Sequence, residues 1–146
     1  MSKSKKPTHE LEPAEEKRLY LEGLRLFNEG EFFEAHEVWE DIWHMATGRK
    51  RPFYQGLIQA AVTLEHLRRG NRRGCLNLYK TCVTKFDDLP DVYMGIDVTP
   101  MLTSLRDAIA HVIDDPQAPV RPKPERFFRI ELAYDPFTEP RETDVA

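Results

Sequence analysis

Residues 53–71 read FYQGLIQAAVTLEHLRRGN. From Phe53 to Leu67 the only charged residue is Glu65, with His66 beside it. Apolar side chains therefore surround the axis of a helix drawn through this stretch. A helix that is apolar on all sides belongs in the middle of a bundle. Pro52 suits a first helical turn and Gly70 a helix end, so the expected helix runs from 52 to 69. At about 100° per residue, Gln55, Gln59 and His66 fall within roughly 40° of one another, beside Val62. Buried amides and imidazoles need hydrogen-bond partners, because an orphaned one costs about 1 to 3 kcal/mol.

The segment before it is the expected source of those partners. FFEAHEVWEDIWH, residues 32–44, places Phe32, Ala35, Trp39, Ile42 and Trp43 on one arc of a helix. His36 lies at the edge of that arc and Glu40 about 40° beyond it. His44 and then Glu37 lie progressively further towards water. The two helices thus share an expected polar seam of His36, Glu37, Glu40, Gln55, Gln59 and His66.

Three readings of the seam are open. The first is a satisfied network that fixes helix register. The second is a small-ligand pocket or a divalent metal site with His36, Glu40 and His66 as ligands, since residues four apart share a helix face. The third is a histidine–carboxylate acid/base site. The motif is HEVWE and not HExxH, and glutamine is a poor transition-metal ligand. No nucleophile or oxyanion donor accompanies the pair, so no reaction is assigned.

Moving outward, the punctuation predicts an all-α bundle of about five helices. They run over 13–29, 31–46, 52–69, 72–87 and 100–114, as two helical hairpins and a C-terminal helix. Asn71 is the expected N-cap of the fourth helix and Thr99, ahead of Pro100, that of the fifth. A weak repeat at an offset of 40 aligns Gly30 with Gly70, Ala35 with Cys75 and Trp39 with Tyr79.

After Asp115 the composition changes. Pro116, Pro119, Pro122 and Pro124 exclude a helix. RFFRIELAY then alternates, with Phe128, Ile130, Leu132 and Tyr134 on one side. The expected organisation is a disordered lead over 1–12, a helical domain over 13–115, an extended strap on the bundle over 116–138 and a disordered tail over 139–146. A homodimer through strap residues 127–134 is the alternative to packing in cis.

Composition narrows the function classes. Lys plus Arg number 21 against 25 Asp plus Glu, and a net charge of −4 argues against nucleic acid as the main partner. The basic turns at 48–52 and 68–73 are expected to meet helix C-termini. No apolar run approaches the roughly 20 residues that span a bilayer. MSKSKKPTHE lacks the apolar stretch of a signal peptide. Cys75 and Cys82, about 10.5 Å apart along one helix, lie beyond disulfide reach. Free thiols fit the cytoplasm.

Three stretches together carry a resemblance: FNEGEFFEAHEVWEDIW (27–43), FYQGLIQAAVTLEHLRRGN (53–71) and RGCLNLYK (73–80). They resemble the bacterial and archaeal family called domain of unknown function 309, over about residues 20–86. The resemblance implies a small all-helical bundle and no reaction. Its motif residues fall on His36, Glu37, Glu40, Trp43, Gln55, Gln59, His66, Gly70 and Asn71. Three function classes remain: a small intracellular protein with a ligand or metal pocket at the seam, a helical-hairpin interaction module whose seam is structural, or an RNA- or nucleotide-associated factor using the basic turn at 68–73, which the net negative charge disfavours.

Overall fold

The structure, a computed structural model, describes residues 11–138. Most of the expected lead and the whole of the expected tail lie outside these residues. Four helices follow one another: α1 (Pro13–Asn28), α2 (Phe32–Met45), α3 (Lys50–Arg68) and α4 (Arg72–Thr84). After a short connection come two two-residue strands, β1 (Val92–Tyr93) and β2 (Ile96–Asp97). They lead into α5 (Val98–Ala108) and α6 (Ala110–Asp114). The fold is all-α, with six helices among the described residues.

α3 packs between α2 and α4, and α1 packs on α2. Of the α3 positions from Phe53 to Leu67, all are buried except Gln55, Gln59, Val62 and His66. The unbroken apolar character of the segment is thus used on nearly every side. Tyr20, Phe27, Trp39, Phe53, Tyr54 and Leu57 make the centre of the core. α1 and α2 meet at Gly23, where an added Cβ would lie 2.0 Å from the Trp39 indole nitrogen.

The repeat at an offset of 40 has a physical basis. α1 and α3 end in the same way. Gly30 and Gly70 adopt φ of 83° and 76°, a region that suits glycine. At the first end Gly30 N–H donates to Phe27 O (2.9 Å) and Glu31 N–H to Leu26 O (2.8 Å). At the second, Gly70 N–H donates to Leu67 O (3.2 Å) and Asn71 N–H to His66 O (2.9 Å). Both are Schellman turns. Asn71 then caps α4 as expected, its Oδ1 accepting from Gly74 N–H at 2.9 Å.

The structure differs from expectation around residues 92–109. Gly95 lies between the expected fourth and fifth helices. It is the tip of a hairpin that pairs Val92 with Asp97 and Tyr93 with Ile96. Met94 (φ 51°) and Gly95 (φ 80°) both adopt positive φ, the pattern of a type I′ turn. Methionine in place of the usual asparagine hides that signal. The Met94 carbonyl accepts the buried Tyr20 hydroxyl at 2.7 Å, which ties the hairpin to α1. The fifth helix begins at Val98, after Asp97, and Thr99 is not its cap. It also breaks at Ile109 (φ −114°, ψ 13°), whose β-branched side chain stays in the core while its backbone leaves the helical region.

Past α6 the chain runs back across the bundle. Arg72 donates to Val112 O (2.9 Å) and Ala118 O (2.6 Å), and Arg126 to Asp107 O (2.9 Å). From Phe127 to Ala133, odd-numbered residues are exposed. Phe128, Ile130, Leu132 and Tyr134 turn inward, Ile130 fully. The chain here is extended, yet one ladder-like bond, Ala133 N–H to Gly95 O at 2.7 Å, joins it to the hairpin.

Candidate functional site

His36, Glu40, Gln55, Gln59 and His66 are half-buried on their helices, and Glu37 is exposed. The structure does not link them into one network. His36, on the shoulder of α2, stays within its own helix. Its Nδ1 lies 2.6 Å from Phe33 O and must donate, because a carbonyl only accepts. Nε2 is thereby the acceptor nitrogen of the neutral ring, 3.9 Å from Glu40 Oε2. Both atoms are acceptors in that tautomer, so no hydrogen bond joins them. Glu40 is 45% exposed in its side chain, against 16% for His36. Glu37 and His44 are exposed.

His66 turns the other way, into the α3–α4 turn. Asn71 Nδ2 donates to His66 Nδ1 at 3.2 Å while Asn71 Oδ1 holds Gly74 N–H. A Cβ on Gly74 would stand 2.8 Å from the His66 ring. The HLRRGN segment and the glycine after it thus form one interlocked turn. Gln55 and Gln59 occupy the half-buried stripe of α3, and Gln59 Oε1 is buried without a hydrogen-bond partner. Trp43 Nε1 is likewise unpartnered, whereas Trp39 Nε1 donates to Tyr20 O at 3.3 Å.

These placements bear on the metal reading. His36, Glu40 and His66 do not converge: one imidazole is engaged at Phe33 in α2, the other at Asn71 beyond α3. Among the described residues no group of three or more His, Cys, Asp or Glu side chains could hold a metal ion. Two open clefts lie elsewhere. One of about 220 Å³ lies between Ile96, Met101, Phe128 and Ile130. The other, of about 270 Å³, lies between Phe86, Leu89, Val98 and Leu102. Neither includes a seam residue.

The basic turns are built into the fold. Arg68 Nη1 donates to Gly30 O (3.1 Å) at the end of α1, and Arg51 Nη1 to Trp43 O (3.0 Å) near the end of α2. Both supply a donor and a positive charge where helix carbonyls lack partners. Arg68 Nη2 (2.5 Å) and Arg69 Nε (2.6 Å) bracket the buried Glu65. Burial pushes the Glu65 carboxyl up. The hydrogen bonds from Arg69 and Arg68 outweigh it and hold the group below its ordinary range.

One polar cluster escaped sequence reading. Glu16 is buried, accepts from the Tyr54 hydroxyl, and lies 3.1 Å from Lys50 Nζ. Burial first, and Glu16 second, push the Tyr54 hydroxyl well above its ordinary value. The available signal was positional: Glu16 stands in the buried stripe of α1 with Leu19, Tyr20, Gly23, Leu24 and Phe27.

α2 differs from its neighbour in charge. In α1, Arg18 pairs with Glu15, and Arg25 with Glu22 and Glu29. α2 carries Glu34, Glu37, Glu40 and Asp41 and neither lysine nor arginine. Phe33, 40% exposed, begins the same strip. Arg69 stands over the Phe33 ring (5.6 Å) and Arg68 over that of Phe32 (5.6 Å). Phe127, 51% exposed, meets Phe32 from the strap at 6.4 Å.

Two stacked helical hairpins, tied by interlocked turns, define this as a small helical-hairpin protein. Residues 20–78 match the family described as Domain of unknown function (DUF309). An uncharacterized protein of Aquifex aeolicus is 28% identical over 95 residues, which cover 64% of this chain. They make up 28% of that relative, so the chain matches well under a third of its length. Glu16 and the strap lie outside the family match, and the interlocked turns lie inside it. No described helix is long and apolar enough to cross a membrane.

Proposed function

We propose that this chain is a helical-hairpin protein-interaction module whose docking face is the outward strip of α2. One observation carries the reading. Glu34 and Glu37 have no ion-pair partner among the described residues, and they share a helix with the exposed Phe33. An exposed aromatic rimmed by uncompensated charge is the composition of a recognition surface. The family motif residues agree with it, since His66, Gly70 and Asn71 build turns. In the Aquifex relative the matching stretch is a minor part of a longer chain, as suits a module used beside other sequence. Buried free thiols at Cys75 and Cys82 agree with a reducing compartment, the cytoplasm.

A photo-cross-linking side chain placed at position 37 in cells tests the reading. The expected result is an adduct heavier than the 17.1 kDa chain, absent when the same group sits at Thr84 on α4. No adduct at 37, or equal adducts at both positions, overturns it.

The unpartnered Gln59 Oε1 favours a second reading, a small hydrogen-bond-donating ligand at the seam. A saturable rise in melting temperature with such a ligand, abolished in Gln59→Leu, supports it. A melt that no ligand moves removes it.

A further inference from the structure

We infer that the partner at this face is a second copy of the chain, docked about a two-fold axis close to Phe33. The inference rests on the reading of the α2 strip as a docking face and names its occupant. Along that strip the charges are arranged in order. Arg69 lies at one end, with its guanidinium 5.6 Å from the Phe33 ring. Phe33 follows. Glu37 stands one helical turn further along α2, and Glu40 and Asp41 lie beyond it.

A surface with a cation, an aromatic ring and then an anion in a row is complementary to itself when turned by a half rotation about the ring. The rotation places Phe33 on Phe33, Arg69 of one copy on Glu37 of the other, and Glu37 on Arg69. An isologous interface requires this kind of self-complementarity. Phe127 widens the apolar centre from the strap side, through its contact with Phe32. Among the described residues, Phe33 and Phe127 are two of the three large apolar side chains left more than a third exposed. Arginine and aromatic residues are also the types enriched at the energetic centres of interfaces. The Arg69 charge is held in place by Glu65 at 2.6 Å, so the surface is organised before a partner arrives.

The test is the solution mass of the full chain by light scattering, across a concentration series and at low and high salt. The wild-type chain is expected to move from 17.1 kDa to twice that mass, and less so in high salt. Phe33→Ser, Glu37→Arg and Arg69→Glu are each expected to remain monomeric. Thermal melts confirm that they fold; Phe33→Ser and Glu37→Arg leave the Glu65 pairing untouched should Arg69→Glu fail. An equimolar mixture of Glu37→Arg and Arg69→Glu is expected to dimerise again, because each mismatched charge then meets its opposite. A wild-type chain that is monomeric throughout overturns the proposal. So does a dimer indifferent to Phe33→Ser and Glu37→Arg, or a mixture that stays monomeric. A monomer that still gives a position-37 adduct with a different chain overturns the second copy alone and leaves the module reading standing.

Discussion

Asn28 holds Ile130 by both of its main-chain groups. Its Nδ2 donates to the Ile130 carbonyl at 3.1 Å, and its Oδ1 accepts from the Ile130 N–H at 2.8 Å. The two residues are 102 positions apart. A side-chain amide at the end of α1 thus does for one residue what a neighbouring strand does for a whole segment. That explains how an alternating stretch lies extended on a helical bundle with hardly any sheet to join. Asn28→Ala leaves both groups of Ile130 without their partner. The expected cost is about 1 to 3 kcal/mol in urea unfolding, with faster amide exchange at residues 128–134. Unchanged exchange there would show that apolar contacts alone seat the segment.

Gly74 and His66 make a second, sharper case. On an exposed helix, Gly→Ala is ordinarily stabilising by up to about 1 kcal/mol. Here the new Cβ would stand 2.8 Å from the His66 ring and from Asn71 Nδ2. Gly74→Ala is therefore expected to destabilise by about 1 to 3 kcal/mol. The double variant with His66→Ala should recover most of that loss, a non-additivity measured by chemical denaturation. Simple additivity would mean that the ring and the glycine do not meet.

Buried acidic groups set the alkaline limit. Burial pushes the Cys82 thiol up to about 12, from 9.0, and the Cys75 thiol to about 11. Burial, with smaller contributions from nearby Tyr134 and Glu16, also raises the Tyr20 hydroxyl well above 10.0, and Tyr54 behaves alike. In each case the folded chain holds its proton more tightly than the unfolded chain does. Their contribution to stability is full below pH 9.0 and is lost progressively as the pH rises towards 12. Unfolding free energy measured from pH 8 upward should fall by a few kcal/mol in total. Cys82→Ala should flatten part of the slope, since Cys82 carries the larger thiol shift. A flat profile to pH 11 would contradict the burial of these groups.

The candidate site was only half legible in sequence. A wheel shows direction. It put Gln55, Gln59 and His66 on one stripe of α3 and His36 on the shoulder of α2, and all four are half-buried. It carries no distance, so it could not show that His36 bonds to Phe33 O and His66 to Asn71. Local bonds form at lower entropic cost than bonds across an interface, and here they claimed both imidazoles. Glu16 was missed for the opposite reason. Its partners, Tyr54 and Lys50, are 38 and 34 residues away.

By itself the sequence determined the four main helices, the glycine ends of α1 and α3, the central place of α3 and the free thiols. Each of these follows from periodicity or from backbone geometry that a single residue type imposes. Only the tertiary structure decided the Met94–Gly95 hairpin, the break at Ile109, the Asn28 clamp on Ile130 and the salt bridge of Glu16. These depend on which distant groups arrive at hydrogen-bonding distance. A polar group commits to a partner only after burial has removed water as the alternative, and spacing along the chain does not record that event.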